Sequence, residues 1–398
     1  MVDFLTDSGT NAMSAEQTAH LITGDESYAG ASSHKHFFET INKITGFKNI
    51  YPVHQGRAAE RILFTLLATK NKIIPNNNHY DTTRANIEVT GAEALDLVDE
   101  SEENFKGNMD IKKLESLLQK HADSIPLIMI TVTNNTGGGQ PVSMRNIKDV
   151  SQLAKKFNKP FFIDSCRFAE NSYFIKTREQ GYSNISIEAI ALEMFSYADG
   201  MTMSAKKDAI VHIGGWIAAN DDKLATKIEN LLILTEGFKT YGGLAGRDLE
   251  AIATGMKEGL KLNYLQHGIG QVQRLGDQLT EIGVPIITPP GGHAVYIDAK
   301  NFLPHIPSSN FPAIALAVAL YIEGGVRTAE IGSLMLGKHA QKELLRLAIP
   351  RRFYSQEHID YITTIFAQII KNKDSIKGIK ITEEPECLRH FSASLDYA

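Results

Sequence analysis

The sequence predicts an α/β fold: a large domain with a mostly parallel sheet wrapped by helices, and after it a smaller α+β domain. Two observations predict it. Between about residues 50 and 220, short β-rich runs alternate with segments of helical periodicity, as in strands joined by crossover helices. After GVPIITPPGG (283–292) that alternation stops and an alternating strand introduces a different pattern. The chain has 398 residues, beyond the size at which one hydrophobic core stops growing, so two domains are expected. We place them at 1–270, with 1–50 as an N-terminal segment, and at 271–398.

The elements follow in order. NIYPV (49–53) is strand-like and runs through Gln55, Gly56 and Arg57 into a segment whose Ile62, Leu63, Leu66 and Leu67 follow the helical period. IPLIMITVT (125–133) and PFFIDS (160–165) are apolar runs of strand length, separated by amphipathic MRNIKDVSQLAKKFN (144–158). The helical IEAIALEMFSYA (187–198) precedes GMTMSA (200–205) and AIVHIGGWIAA (209–219), both read as strands. A long helical region occupies about 221–282, where LEAIATGMKEGLKLNYL repeats apolar residues at helical spacing. The last third contains the strand HAVYID, the apolar FPAIALAVALYI (311–322) expected as a buried helix, the strand LLRLAIPRR and amphipathic HIDYITTIFAQIIKN.

Composition narrows the function classes. Net charge is −5 from 41 basic and 46 acidic residues, with no polybasic run, so neither nucleic acid nor an anionic membrane is an expected partner. A small-molecule substrate fits better. The two cysteines, Cys166 and Cys387, are too few for a disulfide framework and suit a reducing compartment, with the cytoplasm as the expected location. The opening MVDFLTDSGT lacks the basic and apolar regions of a signal peptide, and the longest apolar run is short of the ~20 residues that span a bilayer.

Ligands of open α/β sheets sit beyond the carboxyl ends of the strands, so polar residues ending strand-like runs carry most weight. Four places qualify. Gln55-Gly56-Arg57 opens a helix whose N-terminus suits a phosphate, or is an ordinary strand-to-helix turn. Asp164 ends a very apolar strand with Arg167 three residues on; it is either a buried carboxylate that needs a partner or a helix N-cap. TNNTGGGQPVS (133–143) is glycine-rich but lacks the Gly-Lys-Ser/Thr of a nucleotide P-loop, and in it Asn135 offers a hydrogen bond. Lys207 ends a strand beside Ser204 and Lys206; either the pair is a solvated strand end, or the second cation and partial removal from water destabilise the ammonium, turning the lysine into a nucleophile towards an aldehyde. A phosphate cup, a carboxylate for a ring nitrogen and a nucleophilic lysine, in that order, describe a pyridoxal phosphate site.

The chain resembles the β-eliminating lyases over nearly its whole length. The matching stretches include LTDSGTNAMS (5–14), GDESYAG (24–30), HQGRAAERILF (54–64), DTTR (81–84), FFIDSCRFAEN (161–171), MSAKKD (203–208), YGGLAGRD (241–248), RLAIPRRFY (346–354) and LRHFSA (388–393). The resemblance implies a fold-type-I pyridoxal phosphate enzyme with a seven-stranded type of sheet in the large domain. It implies that Lys207 carries the cofactor and serves as base at the substrate Cα. By the same resemblance Gln55, Gly56, Arg57 and Ser204 hold the phosphate, with Lys206 beside them, and Asp164 holds the ring nitrogen. Arg167 and Asn135 flank the phenolic oxygen, Tyr80 stacks on the ring where the family has phenylalanine, and Arg346 clamps the substrate carboxylate. Tyr28, supplied by a neighbouring subunit of a homotetramer, donates the proton to the leaving ring. A potassium ion is implied at Glu26, Gly9 and His212, the last in place of an asparagine.

Substrate choice is implied by three positions. Tyrosine-cleaving members have threonine at Asp81, arginine at Ile331 and phenylalanine at His390, and an aspartate can accept an indole N–H. The expected reaction is therefore β-elimination of L-tryptophan to indole, pyruvate and ammonia. Tyrosine or S-substituted amino acids are the alternative, and a cofactor-binding but catalytically impaired relative is a third reading. That last reading arises because members of the family carry a further N-terminal segment, ahead of the LTDSGT stretch, that contributes to subunit contacts.

Overall fold

A computed structural model describes residues 1–385 and 388–398, so Cys387 lies outside the described residues. The chain divides into two compact units, Ser8–Gln266 and a second formed by Met1–Asp7 with His267–Ala398. The first seven residues thus join the C-terminal part, unlike the expected division at 270. The reason is strand pairing and burial: Val2 pairs in parallel with Val326, and Val2 and Phe4 lie in the apolar core of that unit.

The longer strands of the Ser8–Gln266 unit are β1 (Asn49–Val53), β2 (Ile73–Asn76), β3 (Glu93–Asp96), β4 (Ile128–Thr131), β5 (Phe161–Asp164), β6 (Gly200–Ser204) and β7 (Gly215–Ala219), with a short antiparallel pair at Val98–Asp99 and Asn108–Met109. Five form one hydrogen-bonded sheet in the order β1-β7-β6-β5-β4. β4, β5 and β6 are parallel, and β7 runs against both β6 and β1. β2 and β3 form a separate parallel pair. A side chain links it to β4: the Asn77 carboxamide donates to the Thr131 carbonyl at 3.0 Å and accepts the Thr131 N–H at 2.9 Å. Every residue of β4, β5, β6 and β7 is buried, which is why their sequences are continuous apolar runs.

Helices pack on this sheet by their apolar stripes. α3 (Gly56–Leu67) buries Ile62, Leu63 and Phe64 in a cluster with Val53, Met129, Phe162 and Ile217. α1 (Ala15–Thr23) starts with a capping box made by Ser14 and Gln17, and α2 (Ser32–Thr45) ends at Gly46 in the left-handed region. The 221–282 region forms three helices, Asp222–Thr235, Gly246–Gly259 and Leu262–Glu281.

The other unit has the antiparallel strands β8 (Ala294–Asp298), β9 (Ala329–Ile331) and β10 (Leu344–Ala348), in the order β8-β10-β9. The helices Pro312–Gly324 and Gln356–Asn372 cover its core. The apolar run at 311–322 is only partly buried: Leu316 and Leu320 are inside, whereas Tyr321 is 53% and Ile322 71% exposed. A helix of that length presents one stripe to a single core, so its far side meets solvent whatever its composition. Among the described residues no helix is long and apolar enough to cross a membrane.

Candidate active site

Strand register brings the four places to one edge of the sheet. Thr131 on β4 pairs with Asp164 on β5, and Asp164 with Thr202 on β6. Two residues on, Ser204 pairs with Gly215, which in turn pairs with Val53 at the end of β1. All but β7 point their carboxyl ends at this edge, which is where α/β sheets hold ligands.

Gln55 is the N-cap of α3, in extended backbone and without a side-chain cap, so the first amides of the helix are left for another acceptor. Gly56 lies hard against Ser204; a Cβ on Gly56 would fall 2.6 Å from the Ser204 Cβ. Glycine is required there by close approach. Lys206 and Lys207 leave β6 just past Ser204. The Lys206 ammonium is held below the usual lysine range by burial first, and then by the charges of Lys207 and Arg57. Three cations thus gather beside uncapped helix amides and a serine, a setting built for an anion.

The lysine loop is fixed from outside. Gly9 N–H donates to the Lys206 carbonyl at 2.8 Å, and Asn11 Nδ2 approaches the Lys207 carbonyl at 3.4 Å. Fully buried Gln17 donates from Nε2 to the carbonyls of Ala209 at 3.1 Å and Ala251 at 3.2 Å. Asp208 Oδ2 accepts the Ala169 N–H at 2.7 Å, tying the loop to the helix Phe168–Arg178. A lysine on such a loop has a defined reach.

Asp164 is not a helix cap, since that role at the next helix falls to Arg167. Burial pushes the Asp164 carboxyl above its usual range, and the charge of Lys207, the Cys166 N–H and the Arg167 charge only partly oppose it. A cationic ring nitrogen against this group would bring it back to the ionised form. Cys166 is also buried, its thiol pushed up to about 12 by burial and by the Asp164 charge, which leaves it unreactive. Arg167 is fully buried and Asn135 nearly so, in the loop that Asn134 closes by accepting the Gly137 N–H at 3.0 Å.

Tyr80 is the N-cap of α4 (Asp81–Glu88), and Asp81 is buried at its first position. Below them, buried His79 hydrogen-bonds through Nδ1 to Asp96 Oδ1 at 2.7 Å, and Arg84 reaches Asp96 Oδ2 at 2.5 Å. Glu60 on α3 accepts the Thr83 hydroxyl at 2.7 Å, joining α3 to α4. Burial and the charge of Asp164 raise the Glu60 carboxyl to about 7. Sequence reading missed Glu60, although a glutamate four residues past Gly56, on the face it shares with Leu63 and Phe64, was a visible signal.

Other expected residues stand apart. Tyr28 is 66% exposed between α1 and α2, with its ring 5.5 Å from Phe238 and 5.3 Å from Tyr241. Gly9 and His212 adjoin, a Cβ on Gly9 falling 3.2 Å from the His212 carbonyl oxygen, while exposed Glu26 pairs with Arg247 at 3.6 Å. Arg346 and His390 belong to the other unit. There Arg346 is buried on β10 and donates to the Leu5 carbonyl at 3.0 Å, and the His390 ring lies 4.0 Å from Phe391.

The residues of the Ser8–Gln266 unit suit pyridoxal phosphate: uncapped helix amides where Gly56 packs on Ser204 beside three cations, a buried carboxyl whose protonation its neighbours only partly oppose, and a lysine on a braced loop. The family model described as "Beta-eliminating lyase" matches residues 3–365. The chain is 56% identical to a tryptophanase of Salinibacter ruber, over 99% of this chain and 87% of that protein. It is 46% identical to a tyrosine phenol-lyase of Pasteurella multocida, over 99% and 90%. Among solved structures, a serine palmitoyltransferase of S. paucimobilis with bound pyridoxal phosphate superposes with a TM-score of 0.64 at 12% identity, covering 94% of this chain and 88% of that one.

Proposed function

The chain belongs to the β-eliminating lyase family, carbon–carbon lyases that use pyridoxal phosphate, and on that premise we propose that it cleaves L-tryptophan to indole, pyruvate and ammonia. The observation that carries the choice of tryptophan is Asp81, a buried carboxyl at the first position of α4 next to Tyr80. A carboxylate can accept the indole N–H, and a phenol hydroxyl offers it no comparable partner once deprotonated. Ile331 supports the same choice. It packs with Ala294, Tyr296 and Leu344 in its own unit, a setting that would penalise an arginine.

When bound, the cofactor supplies an electron sink for the charge left at the substrate Cα. The chain does the rest. Gln55, Gly56, Arg57 and Ser204 hold the phosphate, with Lys206 adding positive charge, and Asp164 keeps the ring nitrogen protonated. Tyr80 covers the ring, and Arg167 and Asn135 hold its phenolic oxygen. Lys207 carries the cofactor, then takes the proton from Cα. Arg346 grips the substrate carboxylate as a fork. Indole leaves poorly until its C3 is protonated, and Tyr28 of a neighbouring subunit is the donor in this reading, with Asp81 and His390 aligning the ring. The family resemblance, rather than that role, carries two further parts of the proposal: a homotetramer with shared sites and a potassium ion at Glu26, Gly9 and His212. The two-cysteine composition keeps the cytoplasm as the proposed location.

The test is purified protein with pyridoxal phosphate and potassium, supplied with tryptophan or tyrosine and scored for indole and phenol. Indole release at the higher kcat/KM is expected. Phenol release at the higher kcat/KM, or cofactor binding without either product, would overturn the reading.

A further inference from the structure

We propose that His20, His36 and Glu250 form a binding site for one divalent transition-metal cation of the zinc class. They come from three helices: His20 from the last turn of α1, His36 from the second turn of α2, and Glu250 from the helix Gly246–Gly259. One ligand atom from each lies within 4.8 Å of the other two. Glu250 Oε2 is the common point, 2.6 Å from His36 Nδ1 and 3.5 Å from His20 Nδ1. Zinc bonds of about 2.0–2.2 Å to nitrogen and oxygen place tetrahedral ligand atoms roughly 3.3 Å apart. The three atoms therefore need only small shifts to share one ion.

Glycines hold the helix that carries Glu250 close to the backbone beside α1 and to the lysine loop. Gly246 touches the Asp25 carbonyl and Gly255 the Ala209 carbonyl so tightly that a Cβ at either would overlap it. Gln17 of α1 is bonded to the Ala251 carbonyl next to Glu250. The ligands are thus on braced backbone, and an ion would not have to order them. Their side chains are 39%, 29% and 11% exposed for His20, His36 and Glu250, so an ion can enter and keep water in its remaining position. Two imidazoles and one carboxylate select zinc, nickel or cobalt over magnesium or calcium.

A lysine also faces the cluster. Lys257, two turns on from Glu250, donates from Nζ to His36 Nε2 at 2.7 Å. That assigns the His36 proton to Nδ1, between the ring and Glu250. Metal at Nδ1 displaces this proton and moves protonation to Nε2, so exposed Lys257 must turn away into solvent. Lys257 is therefore a competitor of the ion.

The experiment is titration of tag-free, cofactor-loaded protein with Zn²⁺ alone, followed by calorimetry and by the thermal midpoint. Stoichiometric binding of one ion per chain is expected, with a rise in the midpoint, both lost in His20→Ala and in His36→Ala. Lys257→Met should bind Zn²⁺ more tightly than the unaltered protein, by about tenfold, the worth of one charged hydrogen bond that no longer has to be broken on binding. These side chains are at least partly solvent-facing, so circular dichroism can verify that each variant is folded. No binding, binding unaffected by His20→Ala and His36→Ala, or weaker binding in Lys257→Met would each overturn the site. None of these readouts depends on the lyase reaction.

Discussion

Replacing Glu60 by Gln should remove a pH dependence from the stability of the protein. Glu60 is buried, and burial together with the Asp164 charge raises its carboxyl to about 7 from the ordinary 4.5. For a carboxyl raised in the folded state, the associated stability is fully present below the unfolded value and is lost as pH climbs through the folded one. The window is therefore about pH 4.5 to just above 7. A tenfold change in acidity between the folded and unfolded chain is worth about 1.4 kcal/mol, so between pH 5 and pH 8 the loss comes to about 2–3 kcal/mol. The amide in Glu60→Gln is neutral throughout, and its carbonyl oxygen can still accept the Thr83 hydroxyl now bonded at 2.7 Å. Urea unfolding of the cofactor-free protein at the two pH values measures this. The single tryptophan, buried Trp216 on β7, reports the loss of structure by fluorescence. The unaltered protein should lose stability relative to Glu60→Gln on going from pH 5 to pH 8. Parallel pH dependence in the two proteins would show that Glu60 titrates normally and that its coupling to Asp164 is negligible.

Other outcomes follow from the same geometry. Lys207→Ala should lose the visible absorption of the attached cofactor together with product release; a spectrum like that of the unaltered protein removes Lys207 from its role. Asp81→Thr should lower kcat/KM for tryptophan by roughly ten- to a hundredfold, the worth of a buried hydrogen bond to a charge. It should affect S-alkyl cysteines far less, and equal losses would argue against an indole contact. Gly56→Ala places a methyl 2.6 Å from the Ser204 Cβ. It should weaken cofactor retention on dialysis, and undiminished retention would mean the cradle is not the phosphate site.

Much of the candidate site was legible because its residues are local signals. Asp164 at the end of PFFIDS, Gln55-Gly56-Arg57 before an apolar helix, and the Lys206-Lys207 pair are each conspicuous within a few positions of sequence. The residues that support them were not. Gln17 lies 192 positions from the Ala209 carbonyl it satisfies, and His79 meets Asp96 through a turn and a strand that no period links. The apolar run at 311–322 misled because composition alone does not say how many faces of a helix find a partner.

The sequence by itself determined the kind of element at most places, since strand and helix differ in the period of their apolar residues, although AIVHIGGWIAA, read as one strand, is a strand only over Gly215–Ala219; it also determined which groups could do chemistry. Only tertiary structure decided which of those groups meet. Register set Thr131, Asp164 and Thr202 side by side and aligned Ser204 with Gly215. Packing of Gly56 against Ser204 closed the cradle, and burial gave Asp164 and Glu60 their altered acidity. Such properties depend on distance and on water removed from many directions at once, and no stretch of chain carries them alone.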